Sequence, residues 1–398
     1  MIGLFLNGLA ASAGGGLTYL RNVLPQLSVR RDAHTTVALS PQLRHELQDL
    51  PNISFLETPI PDGSARRFWH EQAVLPRLIR ESGADALISA GNFALRKSPV
   101  PQILLSRNSL YTSGDFLRDL RARQDYRLWL DTRIKGILAK RSIQWADCTV
   151  APSRAFAEDL EHWTGKNVTC IYHGFDRDLF VGNKASLPPG LEQKLEAEPG
   201  TLRLLFVSHY NYYRNFETLF RAVPLIRDGL GGRKIKLFLT CTLRSDDNPG
   251  SYHAESAAAL INQLGIAKNV VELGTVRYSQ LHHVYQACDI YVTPAYAESF
   301  AHPLVEAMAS GLPVVASDLP VHREICNAAA AYFHKFSPSE LASGIVQVAN
   351  SVERGREMAA LGRKRSSDFS WTKHVDELTR LSRRLMEHSG RQGHRDMI

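Results

Sequence analysis

At 398 residues, 44% hydrophobic and 22% charged, the chain is too long for one ordinary core and suits two domains of similar size. A formal charge of +7 favours anionic partners such as nucleotide diphosphates and acidic lipid surfaces. No helix-turn-helix, zinc-finger or RNP-like pattern occurs, which argues against nucleic acid, and no run of about eighteen apolar residues occurs, which argues against a membrane-spanning helix. The start, MIGLFLNGLAASAGGG, lacks a basic n-region and reads as a strand and glycine turn, not a signal peptide. Cys148, Cys170, Cys241, Cys288 and Cys326 are widely spaced, with neither a disulfide framework nor zinc-ligand spacing. A reducing cytoplasm is the expected compartment.

Residues 2–6 are a predicted buried strand. Gly14, Gly15 and Gly16 then open a helix from Leu17 to Leu27, apolar at Leu17, Leu20, Val23, Leu24 and Leu27. Glycines permit close backbone approach, and a helix start favours phosphate. The GxGxxG spacing and an acidic ribose ligand are absent, so the run is either a tight turn or a ligand loop. Predicted strands at 36–40, 53–57, 86–89 and 102–106 alternate with helices at 41–50 and 66–82, the second interrupted near Pro76. Such alternation indicates a parallel sheet covered by helices. The loops at 91–93 and 107–111, which include Arg107 and Asn108, are either acceptor-side contacts or plain surface.

Residues 115–145 are expected to form one long helix, broken at most near Gly136. Its arginines and lysines outnumber its acids. It is either a core-packed helix with a solvated basic face or an edge helix that meets an anionic membrane or a phosphorylated acceptor. A strand at 148–151, a helix at 154–164 and a strand at 168–172 lead to the turn His173-Gly174-Phe175-Asp176. The first domain is therefore placed at 1–180, and residues 181–200, without a long apolar run, are the predicted linker.

The second domain, 201–368, opens on a strand at 202–207. The loop Ser208 to Asn215 follows, then a helix from Phe216, where Asn215 is expected to act as the cap. Alternation continues to residues 289–318, DIYVTPAYAESFAHPLVEAMASGLPVVASD. Here a strand ends in Thr-Pro, a polar loop leads into a helix, Gly311 stops it, and a second strand follows. Glu298 lies in the loop and Glu306 in an apolar helical run, where an ionised carboxylate needs a partner. The pair is either two surface glutamates or two groups bordering one cleft. A helix at 369–388 is expected to cross back to the first domain, and 389–398 is a frayed tail.

Taken together, these features resemble the retaining glycosyltransferases of family 4. The segment from Glu298 through Glu306 and on to Val315 is similar to that family's E-x7-E donor motif with its downstream helix and strand. Gly14 to Gly16, the His173 to Asp176 turn and the Ser208 to Asn215 loop add to the likeness. The resemblance implies an α/β GT-B fold, two Rossmann-like doubly wound domains facing a central cleft. It implies transfer of a sugar from a nucleotide-diphosphate sugar to a hydroxyl acceptor, such as a lipid-linked saccharide in surface polysaccharide synthesis. A nucleotide-sugar epimerase, a sugar phosphorylase and a noncatalytic binding protein are the alternatives.

By that resemblance Glu306 would hold the ribose and Glu298 the donor sugar, with backbone groups around Ser299, Phe300 and Ala301 holding sugar or diphosphate. His302 in the same loop is a candidate contact to sugar or phosphate. Gly14, Gly15 and Gly16 would close over the diphosphate. An arginine and a lysine usually anchor that diphosphate; here His209 and Arg214 stand in their places, which shifts weight onto Arg214. Arg214, His209 and helix-end N–H groups would stabilise charge growing on the bridging oxygen. The expectation includes no cofactor and no metal, because no convincing DxD ends a strand. The enzyme is expected in the cytoplasm, peripheral at the inner membrane face.

Overall fold

The computed structural model describes residues 1–11, 15–61, 63–183, 185–250 and 252–395. Gly14 lies outside these described residues. The chain forms two compact units, one of Met1–Thr112, Leu130–Gly174 and Ser370–Ile398, the other of Ser113–Trp129 and Phe175–Phe369. In chain order the helices include α1 (Gly15–Ser28), α2 (Ser64–Ser82), α3 (Gly114–Ala122), α4 (Tyr126–Trp145), α5 (Phe216–Gly229), α6 (His302–Ala309), α7 (Pro320–Cys326) and α8 (Trp371–Arg395).

The first unit holds strands β1 (Ile2–Asn7), β2 (Ala33–Leu39), β3 (Ile53–Glu57), β4 (Ala86–Ser89), β5 (Gln102–Leu105), β6 (Cys148–Ala151) and β7 (Val168–Cys170). All pair in parallel, in the order β3-β2-β1-β4-β5-β6-β7. The strands read as near-continuous apolar runs because helices cover both faces. On one face, Leu20, Val23, Leu24 and Leu27 of α1 join Leu4, Leu6 and Ile88 from the sheet in one core. Trp371, Val375, Leu378 and Leu381 of α8 belong to that same core, so the end of the chain is structural to this unit.

Gly174 explains how α8 begins. A Cβ at this position would lie 2.1 Å from the Trp371 backbone nitrogen, a contact between two backbones that no rotamer relieves. His173 is buried among the rings of Tyr19, Trp371 and His374, at centroid distances of 5.6, 5.6 and 5.7 Å. Its work is packing.

The second unit holds β8 (Leu202–Phe206), β9 (Ile235–Leu239), β10 (Val270–Glu272), β11 (Ile290–Thr293), β12 (Val314–Ser317) and β13 (Ala330–Phe333), parallel in the order β10-β9-β8-β11-β12-β13. Residues 175–200 pack with this unit. Phe180 meets Tyr278 at 5.2 Å between ring centroids, and Lys194 Nζ donates to the Glu272 carbonyl at 2.9 Å.

The long helix expected at 115–145 is two helices. The break lies at 123–125, where Gln124 has φ 58° and Asp125 Oδ1 accepts from Leu128 N at 3.1 Å, starting α4. Gly136 sits buried inside α4 without breaking it. α3 belongs to the second unit although it precedes most of that unit in sequence. Arg123 bonds Glu217 at 2.9 Å, Tyr296 Oη donates to Asp119 at 2.7 Å, and Lys335 pairs with Asp115. These are contacts between residues far apart in sequence, which no local pattern reveals.

Candidate active site

Strands β8 and β11 are neighbours, in register at Ile290↔Leu204 and Tyr291↔Leu205, yet the chain leaves them toward opposite edges of the sheet. Loops diverge at the carboxyl ends of such a pair and leave a crevice, where open α/β sheets bind ligands. Both segments singled out in this half of the sequence, 208–215 and 294–301, lie there. A cavity of about 530 Å³ lies elsewhere, lined by Leu202, Ile290 and Pro313 near the amino ends of β8, β11 and β12, and contains no candidate site residue.

Asn215 fixes the crevice. It adopts the left-handed conformation at φ 57°, ψ 47°, which asparagine tolerates better than most residues. It occupies the cap position of α5, but its side chain makes no capping bond, which corrects the capping role expected for it. Instead Nδ2 donates to the carbonyls of Pro294 at 3.0 Å and Lys335 at 2.7 Å, while Oδ1 accepts from Thr218 Oγ1 at 2.8 Å. One side chain thus ties together the segments that follow β8, β11 and β13. The Tyr296 N–H donates to the Tyr213 carbonyl at 3.0 Å and adds a second tie.

Arg214 and Glu298 are brought together as an ion pair between Nη1 and Oε1. Their side chains keep 19% and 9% of their exposure, so each needs the other in the free protein. The guanidinium carbon also lies 5.1 Å from the Tyr213 ring centroid, and among the described residues the buried Nε has no hydrogen-bond partner. His209 is exposed at the rim of the crevice. Desolvation by the surrounding protein, then the Arg214 cation, lower its pKa, so the imidazole is neutral at neutral pH. Of the two anchors expected here, only arginine carries charge.

Glu306 lies on α6, buried to 6%. Tyr285 Oη donates to its Oε2 at 2.9 Å. Burial pushes the carboxyl up to about 7, opposed by that hydrogen bond. α6 begins after Ala301, which is held left-handed at φ 65°, ψ 64°, a conformation unfavourable for a residue with a Cβ. Phe300 is 2% exposed and packs on Phe369 at 5.4 Å and His302 at 4.8 Å, so its ring serves the core and only its backbone can meet a ligand. Ser299 and His302 are half-buried on the same turn.

Two residues that the sequence did not single out support this crevice. Tyr285 is the partner of Glu306, and nothing in the helical pattern at 279–287 marks it. His322 on α7 is fully buried, with Nδ1 2.9 Å from the Ser317 carbonyl; Ser317 Oγ in turn donates to the Ala295 carbonyl in the loop that carries Glu298. Burial, with the Arg214 cation adding to it, pushes His322 down to about 4, so it is neutral.

In the first unit, Gly15 and Gly16 start α1. Arg107 follows β5, donates from its N–H to Asn92 Oδ1 at 2.6 Å, and lines a cavity together with Gly16. Asn108 does not line it; its Oδ1 accepts from Leu110 N at 3.0 Å and caps a short 3-10 turn. Among the described residues no group of three or more His, Cys, Asp or Glu is placed to hold a metal ion, and all five cysteines are free.

Residues 191–365 match the model for glycosyl transferases group 1, and residues 13–179 match that for glycosyltransferase family 4. Each half of the chain thus matches a glycosyltransferase family model, and the two matches together span most of its length. D-inositol 3-phosphate glycosyltransferase of Corynebacterium aurimucosum is 25% identical over 259 residues, 63% of this chain and 60% of that protein; the match thus spans less than two thirds of the relative's length. Among solved structures, sucrose-phosphate synthase from Thermosynechococcus elongatus aligns with a TM-score of 0.75 at 17% identity, covering 98% of this chain and 100% of that one. Anabaena Alr3699/HepE, solved in complex with UDP-glucose, aligns at 0.69 and 17% identity, covering 96% and 99%. At such identity the likeness is one of fold: two Rossmann-like α/β units with parallel sheets.

Proposed function

We propose that the protein is a retaining glycosyltransferase that moves a sugar from a nucleoside-diphosphate sugar to an acceptor hydroxyl. The observation that carries this is the Arg214–Glu298 pair in the same crevice as the buried Glu306. A diphosphate entering beside Arg214 offers the guanidinium a dianionic partner in place of Glu298. Glu298 is then released to accept hydrogen bonds from donor sugar hydroxyls. Glu306, once ionised, accepts from the ribose hydroxyls. Backbone N–H groups at Ser299 to His302 complete the hold on the donor. HepE, of the same fold, is described in complex with UDP and UDP-glucose, which supports a uridine donor here.

As the bond from the anomeric carbon to the bridging oxygen lengthens, negative charge grows on the diphosphate. Arg214 stabilises it in a partly desolvated site. The acceptor hydroxyl attacks from the face the diphosphate leaves, and its proton passes to the departing phosphate oxygen. Glu298, held by Arg214 before the donor arrives, is a positioning carboxylate and not a double-displacement nucleophile.

The acceptor on this reading is a lipid-linked saccharide met at a membrane surface. Among the described residues no helix is long and apolar enough to cross a membrane. α4 instead exposes Tyr126, Leu130, Ile134 and Ile137, at 62, 54, 57 and 63%. These four fall within roughly 80° of one helix face. Exposed Arg127 and Arg133 flank that stripe, the pattern of a helix lying on an anionic bilayer.

A panel of nucleotide sugars, monitored for nucleoside-diphosphate release with and without a membrane acceptor extract, tests the reading. Release that depends on the extract and yields a glycosylated lipid is the expected result. Release without any acceptor points to a hydrolase, conversion of the nucleotide sugar without release points to an epimerase, and no turnover with any donor leaves a binding protein.

A further inference from the structure

The first unit has a sheet reversal of its own. β1 and β4 are neighbours, and the chain leaves them toward opposite edges. A cavity of about 210 Å³ lies among the loops that follow these strands and β5. Three cations on three separate elements line it: Arg67 on α2, Arg107 after β5 and Lys135 on α4. No carboxylate is among its lining residues. We infer that this cavity binds the phosphate group of a phosphorylated acceptor, an inference that rests on the transfer function proposed above.

The local charges leave an excess of positive. Arg67 Nε lies 3.4 Å from Glu71 Oε1, and Glu71 also accepts from Asn7 Nδ2 at 2.9 Å. Lys135 pairs with Asp131 at 2.8 Å, one turn away on the same helix, with side chains 31% and 47% exposed. Such a surface pair is weak, so Lys135 is easily recruited. Among the described residues Arg107 pairs with no carboxylate. Its guanidinium carbon lies 4.7 Å from the Tyr19 ring centroid, Nη2 donates to the Ala90 carbonyl, and Nε meets no hydrogen-bond partner among them. Three cations therefore meet two carboxylates, one of them, Asp131, largely solvated.

The walls are preformed. Gly91 lets the loop after β4 close on the loop after β1, since a Cβ there would come within 2.5 Å of Ala10 Cβ. Asn92, at φ 64°, fixes Arg107 through its backbone N–H. Behind Arg107, Tyr19 Oη bonds His374 Nε2 at 2.9 Å, and His374 Nδ1 lies 2.8 Å from the Tyr172 carbonyl. Tyr111 also lines the cavity, and burial pushes its hydroxyl up to about 12, so it stays protonated and can donate.

The choice of phosphate follows from number and direction. A phosphomonoester presents three terminal oxygens and carries about −1.5 to −2 charges at neutral pH, which suits donors converging from three elements. A carboxylate carries one charge in one plane and would leave at least one cation unmet. A neutral sugar would leave the excess charge unanswered.

Isothermal titration of the full chain tests this directly. The probes are inorganic phosphate, glycerol 3-phosphate and glucose 6-phosphate, set against glycerol, glucose and glucuronate, each with and without saturating UDP. The phosphorylated probes should bind about tenfold or more tightly than the others, unaffected by UDP. Lys135→Gln should weaken them by about tenfold with UDP affinity and Tm close to the parent's, and Arg67→Gln should weaken them by about tenfold with UDP affinity unchanged but a lowered Tm, because Glu71 loses its cation. Equal affinity for phosphorylated and neutral probes, glucuronate binding as well as phosphate, or displacement by UDP would each overturn the assignment. None of these readouts needs turnover. A chain that binds the phosphates but transfers no sugar refutes the transfer reading alone, and one that transfers sugar without a phosphate site refutes only this inference.

Discussion

Glu306→Gln isolates the least ordinary group in the crevice. Glu306 is buried, has Tyr285 as its hydrogen-bond partner, and is raised from 4.5 to about 7. A carboxyl whose folded pKa exceeds its unfolded value favours the folded state when protonated. Its contribution is fully present below about pH 4.5 and is lost as pH rises through about 7. At 1.36 kcal/mol per unit the difference amounts to about 3 kcal/mol. Urea unfolding of parent and Glu306→Gln at pH 5, 6, 7 and 8 should therefore give stability curves that diverge. The parent should lose about 2.5 kcal/mol more than the variant across that range, the rest having been lost below pH 5. The amide has its own desolvation cost, but that cost does not change with pH, so only the difference in slope matters. On the proposed reading, donor binding carries the opposite proton linkage, because ribose hydroxyls donate to the ionised carboxylate; UDP affinity should rise more steeply from pH 5.5 to 7.5 in the parent than in the variant, where only the phosphate still titrates. Parallel unfolding curves would refute the placement of Glu306 as an isolated buried acid.

Arg214→Ala should remove most UDP binding and cost about 2 kcal/mol of stability, because Glu298 is left nearly buried without its partner; UDP thermal shift and Tm report both, and a variant that still binds UDP tightly would contradict the anchor role. Glu298→Gln should lower kcat by about 100-fold while retaining UDP affinity, measured by donor kinetics against UDP titration; equal loss of both would mean that it holds the nucleotide instead of the sugar. Gly174→Ala should destabilise the first unit by about 3 kcal/mol or prevent its folding, since the added methyl meets the Trp371 backbone; an unchanged Tm would refute that packing. Leu130→Ser/Ile134→Ser/Ile137→Ser should abolish flotation with anionic vesicles and leave soluble-acceptor kinetics unchanged; persistent flotation would remove the role assigned to α4. Reversing Arg123 is no substitute, because it bonds Glu217 and Asp119 within the second unit.

Periodicity was enough to reveal the alternation of strands and helices, since a strand buried on both faces and an amphipathic helix each leave a local hydrophobic signature. The Glu298–Glu306 spacing, with Gly311 and Pro313 after it, was legible for the same reason: loop, helix and stop are consecutive in the chain. Asn215 shows the limit. Its position before a helix pointed to a cap, but the left-handed backbone turns its side chain onto Pro294 and Lys335, residues remote in sequence. The break at Gln124 was hidden because residues on both sides carry helical patterns, and the attachment of α3 to the second unit depends on partners about a hundred or more residues away.

The sequence by itself determined two α/β units and the strand–loop–helix–strand segment that carries Glu298 and Glu306. Only the tertiary structure decided which charges meet. It paired Arg214 with Glu298, gave Glu306 the hydroxyl of Tyr285, buried His322 behind the crevice, and gathered Arg67, Arg107 and Lys135 around one cavity. The physical reason is that hydrophobic order repeats along the chain, whereas a charge acquires its partner, and therefore its chemistry, only when distant segments share one low-dielectric space.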